Sequence, residues 1–243
     1  MIKHITRRDG SWWLKLAIRF IVYSFLSYTS TAFSSFTSTG RNDVNAVQAQ
    51  LGYLPSNYLY VSAWKENGDA PVAIKTYPLH GGAKRRQAKA VVNSRVSSPF
   101  PTLYWLTCPE ISRAVADFER RGYIKIIEEE VKSDPCLAHR LIACHKEYAN
   151  ERWNSLTEED RSLLSVEDQS KQRMRNMMEF SGISGTNFTV HDSDDGKPFV
   201  APIKCLHAHY AHYRSTMVSR CTQNPVGEII HRELAKEFPN LEL

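Results

Sequence analysis

The sequence holds only five cysteines among 243 residues, at 108, 136, 144, 205 and 221. An odd, widely spaced set excludes the disulfide framework of a small secreted domain and reads as free thiols in a reducing compartment. Internal repeats are absent, so the chain is not a stack of like units. No apolar run approaches the roughly 20 residues of a membrane-crossing helix, and the mature protein is expected not to span a membrane. The body of the chain also lacks an excess of charge. Residues 1–42 hold six of the 31 cations (Lys3, Arg7, Arg8, Lys15, Arg19, Arg41) and one of the 26 acids, Asp9, which leaves 25 of each for residues 43–243. The formal net charge of +5 therefore belongs to the amino-terminal segment and carries no argument for a nucleic-acid partner. Lys84, Arg85, Arg86 and Lys89 form a local basic run in an otherwise balanced chain.

What is present suffices for a core. Apolar residues make up 42% and aromatics 11% of the chain, enough for one large domain or two small ones. Residues 1–42 stand apart from it. A positively charged start to Lys15 leads to the apolar run Phe20–Leu26, then to small residues with Ser30 and Ala32 at the −3 and −1 positions of a cleavage site. That is the three-part layout of a signal peptide. A membrane anchor is the competing reading, and the shortness of the run argues against it. After Ala32 comes Phe33, then a hydroxyl-rich, acid-free stretch to Arg41. This sequence resembles the two-part plastid presequence of algae with secondary plastids, which implies delivery to the chloroplast stroma.

The mature chain, 43–243, reads as one domain that begins with strands and continues with helices. Asp43 caps a short helix that Gly52 stops. Asn57–Trp64 and Pro71–Thr76 are β-branched and aromatic, and Asn67-Gly68 between them is a hairpin signal. Residues 80–98 read as an exposed loop. Thr102–Thr107 is a third strand, expected with the first to flank the second. Cys108-Pro109 opens a helix ended by Gly122, and Ser133-Asp134-Pro135 opens another that runs through Arg152. Thr157 and Asp168 start short helices. Residues 181–199 form a loop, Pro202–Ser219 a helix, and Asn224-Pro225 caps the last one. The order implies α+β: a small antiparallel sheet of about three strands packed on a helical carboxy-terminal half.

The stretch Pro202–Tyr213 gathers a thiol, three imidazoles, a lysine and two phenols. On a continuous helix Cys205, His209 and His212 share one face, whereas a helix beginning near Leu206 lets Cys205 in the entering turn converge with His207. Cys and His are ligands for Zn²⁺, which takes three or four. A buried thiol and core-bonded histidines are the structural alternative. Cys108 sits at a helix start, where the dipole favours a thiolate. His145, Tyr148 and Arg152 share a stripe, and His145 with Arg152, joined by Lys75 and Lys204, could receive an anion. Polar groups on a packed helix need polar partners, so the entry turn of the Cys205 helix is expected against the His145 helix. Neutralisation by Glu228 or Asp134 is the competing arrangement.

These segments carry a resemblance. Gln50-Leu51-Gly52, the strand Pro71–Leu79 with Lys75-Thr76, Pro99–Thr107, His145-x-x-Tyr148-x-x-x-Arg152, Lys204–His207 with Ala211-His212, and Asn224–Glu228 occur in this order. From about Val47 to Glu228 the chain resembles the bacterial domain-of-unknown-function family 501. Against that pattern, 80–98 and about 155–178 look like insertions, and His209 and Cys108 are not part of it. The resemblance favours Cys205, His207 and His212 and implies no reaction. The expectation is a stromal protein whose Cys205, His207, His212 and His145, with Arg152, Lys204 and Lys75 as anion contacts, bind a metal such as Zn²⁺ or a small anionic molecule, and in an enzyme supply nucleophile and base. A non-catalytic interaction or assembly protein with structural polar networks is the other class.

Overall fold

Aromatic and β-branched residues make strands of the three expected stretches. In the computed structural model, the strands are β1 (Tyr58–Trp64), β2 (Pro71–Thr76), the two-residue β3 (Leu79–His80) and β4 (Ser98–Pro99), and β5 (Tyr104–Leu106). The structure describes residues 40–80, 98–165, 168–188, 201–217 and 223–243, with side chains from Asp43 onward. The leader, the basic run at 84–89 and most of the loop after Asn187 lie outside the described residues.

The sheet is antiparallel in the order β1-β2-β5, with β2 in the middle as its composition requires. Gly68 turns β1 into β2 at φ 75°, a conformation that favours glycine. The third strand is shorter than Thr102–Thr107, because the amide of Leu103 leaves the ladder and donates to the Tyr148 hydroxyl at 2.6 Å. The ends of the 80–98 segment are not loop: Leu79 pairs with Pro99 and His80 with Ser98.

Eight α-helices occur among the described residues: α1 (Gly40–Leu51), α2 (Pro109–Arg120), α3 (Tyr123–Ser133), α4 (Pro135–Asn154), α5 (Glu158–Leu164), α6 (Gln169–Phe180), α7 (Leu206–Thr216) and α8 (Pro225–Glu237). Their starts follow the side chains that accept the first amides. Asp134 caps α4, Thr157 α5, Asp168 α6 and Asn224 α8. α1 begins three residues before Asp43. α7 begins later than Pro202, because Cys205 is extended at φ −156° and ψ 116°. Among the described residues no helix is long and apolar enough to cross a membrane.

The architecture is α+β, and α7 is its central helix. Eight of its eleven residues are buried, all from Ala208 to Arg214 together with Leu206. It lies against β2 and β5 on one side and α2 and α8 on others. Gly227 permits the α8 crossing, since a β-carbon there would stand 2.2 Å from that of Tyr213. A second, smaller core holds α5 and α6. Tyr77 and Leu79 meet Leu156, Leu164 and Met178 there, and the Tyr77 hydroxyl donates to Asp160 at 2.5 Å. The stretch 155–178 thus folds on its own apolar cluster.

Candidate functional site

Cys205 is the last extended residue before α7, and its side chain does not cap the helix. A carboxylate from another helix does so instead. Glu119, near the end of α2, accepts from the Leu206 amide at 2.7 Å through Oε1. Glu128 on α3 accepts from the Ile203 amide at 2.9 Å. Two acids thereby fix the extended run 203–205 and aim Cys205 outward beside His207. Glu119 Oε1 also lies 3.2 Å from His207 Nδ1, and His207 Nε2 donates to the Ser112 carbonyl at 3.1 Å. Donor atoms of Glu119, Cys205 and His207 all lie within 4.8 Å of one another, and all three residues are partly exposed. Burial opposes charge on His207, but the hydrogen bond it donates to Cys205 and the Glu119 carboxylate outweigh it and raise the imidazole to about 9. With Nε2 on the Ser112 carbonyl and Nδ1 facing Glu119, the imidazolium is held from both sides.

The next turns of α7 face a different group. His209 and His212 are buried against His145 and Tyr148 of α4. His145 Nδ1 accepts from the Ile183 amide at 3.1 Å, so its proton sits on Nε2, which has no partner among the described residues. His145 and His209 meet edge to face, with ring centroids 5.6 Å apart. The Asn224 amide nitrogen lies 3.2 Å from Nδ1 of both His209 and His212, while its oxygen caps α8. Cys144 Sγ is 3.7 Å from His212 Nδ1. Burial, with the neighbouring His209, His212 and Lys204, holds His145 down to about 2, and burial lowers His209 to about 4 and His212 to about 3. Burial also pushes the Cys144 thiol far up. Among the described residues this is a neutral, packed cluster of bonded imidazoles with no carboxylate in it, the structural reading of core histidines.

The remaining expected contacts are engaged elsewhere. Arg152 is buried, and its guanidinium donates to the carbonyls of Met178 at 2.8 Å, Met177 at 2.9 Å and Pro101 at 3.2 Å, and to that of Ser181. It closes the carboxy-terminal end of α6, where a cation suits the dipole, and burial lowers it to about 10, still charged at neutral pH. Lys75 pairs with Glu151 at 2.5 Å, and that carboxylate also accepts from Tyr104. Lys204 donates to the Gly185 carbonyl at 2.8 Å. Glu228 pairs with Arg140 at 2.6 Å and Asp134 caps α4, so neither neutralises Arg152. Cys108 is buried at the start of α2.

The structure therefore divides the expected single site. Cys205 and His207 come together through the late helix start, with α2 rather than α4 against the entry turn. His145 and His212 come together one to two turns further on, and they include His209, which the family pattern left aside. Arg152 and Lys75 spend their charged ends on other partners, and Lys204 neighbours His145 while donating to the Gly185 carbonyl. Glu119 and Ser112 complete the first group, and nothing in the sequence marks an acid 86 residues before Cys205 as its neighbour. Asn224 was visible as a cap, but not as the contact between two histidines.

The sequence model of a family described as protein of unknown function (DUF501) matches residues 63–232. Comparisons with curated proteins and with solved structures find no match.

Proposed function

Because the chain belongs to the DUF501 family, whose description assigns no activity, we propose its function from the site itself: Glu119, Cys205 and His207 bind a divalent transition-metal ion of the Zn²⁺ type. The observation that carries this is the setting of His207. Its Nε2 is anchored on a backbone carbonyl, the arrangement that orients a metal-ligating imidazole, and its Nδ1 turns to a thiol and a carboxylate. Carboxylate, thiolate and neutral imidazole suit Zn²⁺ and offset its charge. Bonds of about 2.0–2.3 Å to the ion draw the donors closer than they stand, and three partly exposed side chains can make that movement. Glu119 keeps Oε1 on the helix amide and offers Oε2. The buried histidines, already bonded within the core, are scaffold.

Elemental analysis of the purified full chain beside Cys205→Ser and His207→Ala tests the reading. Loading with Co²⁺ should give a thiolate-to-cobalt charge-transfer band in the near ultraviolet, lost in Cys205→Ser. A metal-free protein that shows no such band on loading would sink the metal reading and leave a structural cap.

We also place the protein in the chloroplast stroma, on the layout of residues 1–42. A reporter fused to residues 1–45 should enter the plastid of an alga with secondary plastids; secretion or cytosolic signal would overturn that placement.

A further inference from the structure

We propose that the ion held by Glu119, Cys205 and His207 keeps one coordination position for an exogenous oxygen anion, a carboxylate or a phosphate, and that this anion is also held by the amino-terminal amides of α7. The inference rests on the metal reading above. Three observations meet at this one end of the helix.

The described residues supply three donors and no fourth. A structural zinc site is closed by four protein ligands, whereas a site with three leaves a position for water or substrate. Glu119 favours binding through one oxygen over both, because Oε1 already accepts from the Leu206 amide.

The site faces solvent. The side chains of His207 and Glu119 are 25% and 28% exposed, and Cys205 is also partly exposed. An ion there is reachable from outside, unlike one placed among His145, His209 and His212.

The helix end is incompletely capped. α7 has eleven residues, and its first amides have no intrahelical acceptor. Leu206 gives its amide to Glu119 and His209 gives its amide to the Cys205 carbonyl. Among the described residues nothing accepts from the amides of His207 and Ala208. Ordinarily the side chain at the cap position takes one of them, but Cys205 makes no such bond. Two free N–H groups and the positive end of the dipole thus stand beside the ion. An oxygen anion bound to the ion would find its second and third contacts there. With two anionic protein ligands the loaded site is about neutral, so a monodentate anion meets no repulsion from a surplus of negative charge.

The test uses the full chain loaded with Co²⁺ and titrated with acetate in one arm and inorganic phosphate in the other, with perchlorate at equal ionic strength as the non-coordinating control. The visible ligand-field bands should shift and saturate with acetate or phosphate and stay unchanged with perchlorate. In the Zn²⁺-loaded, ¹⁵N-labelled chain the same titration should move the amide signals of His207 and Ala208 downfield. The arm that saturates at the lower concentration identifies the carboxylate or the phosphate as the preferred donor. A charge-transfer band with ligand-field bands indifferent to both anions means a closed site and overturns the inference while leaving the metal reading intact. Band shifts with unmoved amides overturn the part assigned to α7. Failure to load Co²⁺ at all removes the metal reading and the inference together.

Discussion

A β-carbon on Gly182 would stand 2.4 Å from Nδ1 of His145. The backbone of the turn after α6 lies directly on the imidazole, and the next amide, Ile183, donates to it. Gly182→Ala is expected to push the ring or the turn away and cost about 1–3 kcal/mol, as overpacking does. Gly227→Ala, against Tyr213, should behave alike. Urea denaturation measures both, and an unchanged midpoint would show that the approach is not tight.

Arg152 separates a structural role from an anion-binding one. Arg152→Met strips the donors from the buried carbonyl of Met178 and the partly buried carbonyls of Met177 and Ser181. An unsatisfied buried acceptor costs about 1–3 kcal/mol, and a loss of about that size is expected. Hydrogen exchange should speed up first at the end of α6. Arg152→Lys should not restore stability, since an ammonium cannot span carbonyls that a planar fork reaches together. Normal stability in Arg152→Met would contradict the capping role.

The buried imidazoles set a pH dependence. His145 and His212 fall from the ordinary 6.5 to about 2 and about 3. The unfolded chain therefore takes up protons first as the pH drops. Their contribution is complete above about 6.5 and is lost as pH falls from there toward about 3. The groups facing them are His209, Lys204, Cys144, Tyr104 and Tyr148, with no carboxylate among these to stabilise an imidazolium. His209, lowered to about 4, behaves alike, so the three buried imidazoles lose about 4 kcal/mol between pH 7.5 and pH 5.5, while His207, raised to about 9, has the opposite sign and returns about 1.4, a net loss of about 3 kcal/mol. Denaturation midpoints at the two pH values check this, and His212→Gln should roughly halve the difference.

Asn224 joins two functions that substitution can part. Asn224→Asp keeps an oxygen for the amides of Val226 and Gly227, both at 3.1 Å, but loses the donor to His212. It should keep α8 helical while raising the His212 pKa, visible by NMR titration. Asn224→Ala should lose the cap as well, at about 1–2 kcal/mol more.

The sheet and the helix starts were legible because their signals are local. A hairpin needs Asn67-Gly68 in place, and α4, α5, α6 and α8 each begin at an Asp, Thr or Asn whose own side chain takes the first amides. The start of α7 carries no such side chain. Its cap comes from Glu119, so periodicity alone extended the helix back to Pro202. The same displacement decides the site. With Cys205 outside the helix, His207 becomes its neighbour and His209 turns to the core. Arg152 was legible as sharing one helical stripe with His145 and Tyr148, yet the carbonyls that occupy it belong to a helix end that no sequence pattern locates in space.

The two acids that hold the entry to α7 also bear on the order of assembly. Glu119 and Glu128 reach across 87 and 75 residues to the amides they accept from, while α2 and α3 follow each other directly through Gly122. Closing loops of that length is entropically costly and comes after local contacts form. The α2–α3 pair is therefore expected to be in place before Cys205 and His207 have a surface to meet. Substitutions at Glu119 and Glu128 should then speed unfolding and leave the folding rate nearly unchanged, a signature of contacts made after the rate-limiting step.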